Sequence, residues 1–161
     1  MVAIAIAIKP DQVTLVPERR EEVTTEGGLD VVAHALRVER AVSALRQAGI
    51  RTSLFIGPDE KAVRMSKKVG AEAIELHTGE FANNPEDPAP ANALRDAAKL
   101  AAELEWAVHA GHGLTVANLG PVAAIPEIEE LNIGHSIISR SIFIGLAAAV
   151  TEIRTAMDAA R

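Results

Sequence analysis

The chain has 161 residues, no cysteine, and 16 Lys and Arg against 22 Asp and Glu, for a formal net charge of −6. That length is a single domain, residues 1–161, and a 48% hydrophobic, 24% charged composition supplies a core and excludes a disordered chain. The missing cysteines exclude disulfide frameworks, thiolate zinc sites, iron–sulfur clusters and cysteine nucleophiles, and they fit a reducing cytoplasm; chemistry falls to His, carboxylates and backbone.

Residues 1–80 carry 11 basic and 12 acidic side chains and residues 81–161 carry 5 and 10, so neither half is a nucleic-acid footprint. The only aromatic residues are Phe55, Phe81, Phe143 and Trp106, too few to stack single-stranded bases, which leaves a small anionic metabolite as the better partner. The apolar run at residues 1–8 is too short to span a bilayer and lacks the basic flank and cleavage site of a signal peptide, so no membrane partner is expected.

In chain order, apolar and β-branched runs at residues 13–16, 52–56, 73–77, 107–110 and 131–133 predict buried strands. Between the first two, Val31, Ala35, Val38, Val42 and Leu45 fall on one helical face that Gly49 terminates. Gly57-Pro58-Asp59-Glu60 reads as a turn with proline in the first turn of a helix carrying Ala62, Met65 and Val69, closed by Gly70. Residues 83–90, with three prolines and two asparagines, predict a loop before a helical stripe of Leu94, Ala97, Ala101 and Leu104. A last helix aligns Ile142, Leu146, Val150, Ile153 and Met157. Strands alternating with helices imply right-handed βαβ units and a parallel sheet, either open and doubly wound or closed as a barrel.

Glycine and histidine cluster past strand C-termini, where both architectures bind ligands. The clusters are Ala110-Gly111-His112-Gly113-Leu114-Thr115, Leu131-Asn132-Ile133-Gly134-His135-Ser136 and Glu75-Leu76-His77-Thr78-Gly79, with a fourth, Glu22-Val23-Thr24-Thr25-Glu26-Gly27-Gly28-Leu29-Asp30, nearer the N-terminus. Glycine admits close backbone approach and helix-start amides attract anions, so Gly111, Gly113 and Gly134 fit a phosphate cradle; taken singly, each also fits a tight turn. Glu75 and His77, two apart on a strand, share a face and can tune each other for proton transfer, or form a structural ion pair. The histidines lack a metal-ligand spacing, and His34 and His109 read as surface or packing residues.

Those four clusters, in their chain order, together with Leu15-Val16-Pro17-Glu18-Arg19-Arg20 and Ser53-Leu54-Phe55-Ile56, resemble the PdxJ family, the pyridoxine 5′-phosphate synthases of vitamin B6 biosynthesis, along essentially the whole chain. The resemblance implies a (β/α)8 TIM barrel of which this chain supplies the last five βα units, an incomplete barrel. The preceding third of the family's chain carries a catalytic histidine, a catalytic glutamate and substrate-gripping arginines. The implied reaction condenses 3-amino-2-oxopropyl phosphate with 1-deoxy-D-xylulose 5-phosphate to pyridoxine 5′-phosphate, phosphate and water, without cofactor or metal.

By motif, His112 would be the proton donor; Gly113, Gly134 and His135 would hold the aminoketone phosphate; Thr24 would contact the sugar phosphate; and Glu75 and His77 would assist proton handling. His109 stands where the family is expected to carry asparagine. A homo-oligomer or a complementing N-terminal segment is expected to cover the open strand edges. Two rival readings are a non-catalytic phosphate-binding or assembly module, and an isomerase or aldolase of the barrel class acting through Glu75 and His77.

Overall fold

The computed structural model describes residues 1–18 and 27–161. In chain order it comprises α1 (Val2–Ile8), β1 (Gln12–Leu15), α2 (Ala35–Gln47), β2 (Arg51–Ile56), α3 (Glu60–Lys68), β3 (Ala73–His77), α4 (Gly79–Asn83), α5 (Pro88–Glu103), β4 (Ala107–Gly111), α6 (Gly120–Ala123), β5 (Ile128–Asn132), α7 (His135–Ile144) and α8 (Leu146–Ala159).

The strands form one parallel sheet in the order β1-β2-β3-β4-β5, each beside its predecessor. A doubly wound sheet reverses its strand order at a switch point; this one never does, so right-handed crossovers carry the helices along one face, as in an arc of a barrel. Strand alternation then divides the residues. Leu54, Ile56, Ile74, Leu76, Val108 and Ala110 are fully buried in a core shared with Val42, Val63, Ala98 and Val122 from the helices. Phe55, Glu75, His77 and His109 take the alternate positions on the other face.

Local chemistry explains most element ends and the departures from expectation. The helix predicted from Val31 begins at Ala35, because residues 31–34 form a turn that the Asp30 carboxylate holds by accepting from the Ala33 amide at 2.8 Å. Asp59, not Pro58, starts α3: its carboxylate accepts from the Lys61 and Ala62 amides at 2.9 and 3.0 Å, leaving the proline just outside the helix. The proline-rich segment is only partly loop. Pro88 and Pro90 lie in the first turn of α5, where a missing amide hydrogen costs nothing, and Asp87 caps that helix. The last strand starts at Ile128 rather than at residue 131, and a bulge opposite Val108 and His109 sets its inner positions at Glu130 and Asn132.

The C-terminal helix departs furthest. Gly145 at φ 82° splits it into α7 and α8, and of the predicted stripe only Ile153 is buried, while Ile142 is 78% and Leu146 56% exposed. Exposed large apolar side chains of the described residues fall into two groups along the chain, from Met1 to Leu36 before β2 and from Val116 to Val150 after β4, with none between. Among the described residues, no helix is long and apolar enough to cross a membrane.

Candidate active site

Parallel register places chemistry-bearing side chains in rows across the face opposite the helices. Phe55, Glu75, His109 and Glu130 are aligned on β2 to β5, and one step toward the C-terminal ends His77, Gly111 and Asn132 are aligned. Glu75 and His77 therefore share a face, as their spacing predicts. Burial is the main cause that raises the Glu75 pKa above the ordinary carboxylate range; a hydrogen bond with Asn132 opposes it and the negative charge of Glu130 adds to it. His77 is pushed the other way, down to about 4, first by burial and then by His112. The Gly79 amide donates to His77 Nδ1 at 3.2 Å, so that nitrogen is unprotonated and the ring's proton sits on Nε2.

His112 follows β4 on a backbone with φ 97°, a region that side chains rarely adopt and that costs about 1–3 kcal/mol, and Gly113 continues at φ 75°. This turn brings the His112 ring onto that of His77, stacked at 4.7 Å between centroids and 25° between planes. Phe55 meets His77 edge-on at 5.1 Å and closes the floor. The Thr78 hydroxyl donates to the His112 carbonyl at 2.5 Å, and on the far side Asn118 accepts from the Thr115 amide at 2.7 Å and donates to the Gly113 carbonyl at 3.3 Å. A β-carbon on Gly113 would lie 2.7 Å from that of Ala82, so only glycine fits there without a shift.

A cavity of about 450 Å³ opens beside this turn, lined by Phe55, Glu75, His112, Gly113, Asn132, Gly134, His135 and Ser136 among others. Gly134 is the N-cap of α7 and has no side chain there; the first helical bond runs from the Ile138 amide to its carbonyl at 3.0 Å. The amides before Ile138 lack intrahelical acceptors and carry the positive end of the helix dipole toward the cavity. The Ser136 hydroxyl ties that helix start to the Leu114 carbonyl at 2.7 Å. The cavity thus juxtaposes an anion-attracting helix start, an exposed imidazole and a carboxyl whose pKa burial raises.

Of the candidate residues, Glu75, His112, Gly113, Gly134 and His135 line this cavity and His77 backs His112. Thr24 lies outside the described residues, as do residues 19–20, 22, 23, 25 and 26 of the quoted stretches. Gly27, a described residue of the same cluster, lies at the site: at φ 95°, it is so close to the His77 ring that a β-carbon there would lie 2.7 Å from Cε1. Of the two roles expected for it, surface or packing, His109 has the packed one, 5% exposed in the row between Glu75 and Glu130, and His34 occupies the N-cap position of α2.

The sequence pattern assigns no role to Phe55, Asn132 and Thr78, although each lies in a stretch quoted above, and it holds no sign of Asn118. The two-residue alternation of β2 carried the signal for Phe55, whereas Thr78 acts across 34 residues of sequence, beyond any local pattern. Among the described residues, no group of three or more His, Asp or Glu side chains is arranged to hold a metal ion.

The winding and the position of the cavity at the C-terminal strand ends define an α/β protein of the TIM-barrel-like kind. A solved HpcH/HpaI aldolase from Desulfitobacterium hafniense shares this fold, with a TM-score of 0.63 at 16% identity over 99% of this chain and 69% of that one. The family model for pyridoxal phosphate biosynthesis protein PdxJ matches residues 1–159, and the chain belongs to that family. It is 52% identical over 160 residues to the pyridoxine 5′-phosphate synthase of a Synechococcus species, covering 98% of this chain and 67% of that protein. The same identity holds over 163 residues with the synthase of Zymomonas mobilis, covering 100% and 64%. The chain therefore spans about two thirds of the length of the curated relatives it matches.

Proposed function

We propose that this chain is the part of a pyridoxine 5′-phosphate synthase that carries the last five βα units of an eight-stranded barrel. Its reaction joins 3-amino-2-oxopropyl phosphate to 1-deoxy-D-xylulose 5-phosphate and closes the pyridine ring with loss of phosphate and water. The observation that carries this reading is the cavity in which His112 and Glu75 meet the start of α7. Gly113, Gly134 and His135 hold the aminoketone phosphate, and Thr24 contacts the sugar phosphate. His112 donates protons during imine formation and dehydration. His77, neutral at working pH, supports the His112 ring without repelling its charged form, and Glu75 supplies a hydrogen-bond donor while it keeps its proton.

The end strands β1 and β5, together with the exposed apolar side chains that precede β2 and follow β4, support a closing partner: a polypeptide of three βα units or the complementary part of a second copy. The test is pyridoxine 5′-phosphate formation from both substrates by the purified chain, with and without a polypeptide supplying the preceding third of the family's sequence, beside a His112→Ala control. Activity only on addition, lost in the control, is expected. Equal turnover without the added polypeptide refutes the need for closure, and turnover that survives His112→Ala refutes the role of His112.

A further inference from the structure

We infer that Thr78 is a positioning residue for His112: its buried hydroxyl, turned away from its own helix, holds the backbone turn that stacks the two imidazoles. Thr78 is the N-cap residue of α4, and a threonine there ordinarily gives its side-chain oxygen to an amide of the first helical turn. This one makes no such cap. Instead, the hydroxyl donates to the His112 carbonyl at 2.5 Å, while the Thr78 amide donates to the Gly111 carbonyl at 2.9 Å. One residue at the end of β3 thereby grips two carbonyls at the end of β4, one step beyond the last register pair, His77 and Gly111.

What it grips is the strained point of the site. His112 holds φ at 97°, and a backbone with a β-carbon relaxes from that region unless its surroundings over-determine it. Thr78 is rigid enough to resist that relaxation, since its side chain is β-branched, it is fully buried, and its carbonyl accepts from the Ala82 amide at 2.8 Å. Ala82 in turn lies against Gly113, so α4 and its N-cap residue touch the turn at two successive positions, His112 and Gly113. A threonine needed only to satisfy its own hydroxyl could cap α4; reaching across to the strained residue fixes where the imidazole stands.

The functional meaning rests on His112 being the proton donor proposed above, but the test reads ring geometry without substrate, so a failed synthase assay and a failed positioning role are separately visible. The chain is labelled at histidine and the His77 and His112 ring protons are followed by NMR in the wild type, Thr78→Val and Thr78→Ser. Valine keeps shape and branching without the donor; serine keeps the donor. The expected result is that Thr78→Val loses the NOE between the two rings and their mutual ring-current shifts, while Thr78→Ser retains both. A valine variant that keeps both signals overturns the inference. So does a serine variant that loses them, since packing of the methyl group would then be the cause. If the valine variant does not fold, the serine variant decides by the same two signals.

Discussion

Acidification from about pH 7 to about pH 4.5 should cost the wild-type chain more stability than it costs a His77→Gln variant. In the unfolded chain His77 titrates at its ordinary value near 6.5, whereas the fold holds it near 4, because burial and the neighbouring His112 both oppose its charge. Its Nδ1 also accepts from the Gly79 amide, a bond that protonation breaks. Between those two values the unfolded chain binds a proton that the folded chain refuses. The contribution is therefore fully present above about pH 6.5 and is lost as the pH falls toward 4.

At about 1.4 kcal/mol per unit, an interval of that size amounts to about 3 kcal/mol, and screening of the half-exposed ring reduces it to about 1–2 kcal/mol. Glu75 works in the opposite direction, since a carboxyl with a raised pKa favours the folded state as the pH falls, but both chains carry it and it drops out of the difference. Urea unfolding of both proteins at the two pH values measures the two losses. Equal losses would refute the claim that the fold opposes protonation of this ring.

Two further substitutions probe the frame around the site. Gly113→Ala places a β-carbon 2.7 Å from that of Ala82 on a backbone at φ 75°, and should cost about 1–3 kcal/mol and weaken binding of inorganic phosphate; a thermal midpoint and phosphate titration like the wild type would refute it. Thr52→Val should stabilise the chain by about 1 kcal/mol, because the Thr52 hydroxyl is buried and finds no partner among the described residues. A thermal midpoint that falls instead would mean the hydroxyl is satisfied by a buried water.

Strand existence was legible because short apolar runs bounded by glycine or proline have few other uses, and the shared face of Glu75 and His77 follows from the period of two. The winding was not. Periodicity reports which residues face a layer, and a doubly wound sheet and a barrel arc bury the same alternate residues; only the strand order, or the family resemblance, separates them. The site was legible to the extent that it is made of glycine and histidine at strand ends. Asn132 was obscured by a bulge that shifts the inner positions of β5, and Thr78 by acting through a carbonyl, a group every residue has.

The C-terminal stripe shows a different limit. Ile142, Leu146 and Val150 recur every four residues, which establishes an apolar face but not that its covering layer lies in the same chain. In the structure Gly145 turns that segment into two helices, Ile153 of the stripe is buried, Met157 packs half-buried against the core, and Ile142, Leu146 and Val150 are exposed. Met1, Ile4 and Ile8, from the apolar run at the start of the chain, are exposed as well. Exposed large apolar side chains that precede β2 and follow β4, in a sheet whose end strands are β1 and β5, are what the proposed closure of the barrel would bury. Residues that look like core by pattern and lie on the surface in this fold are the ones that the closing partner proposed above would cover.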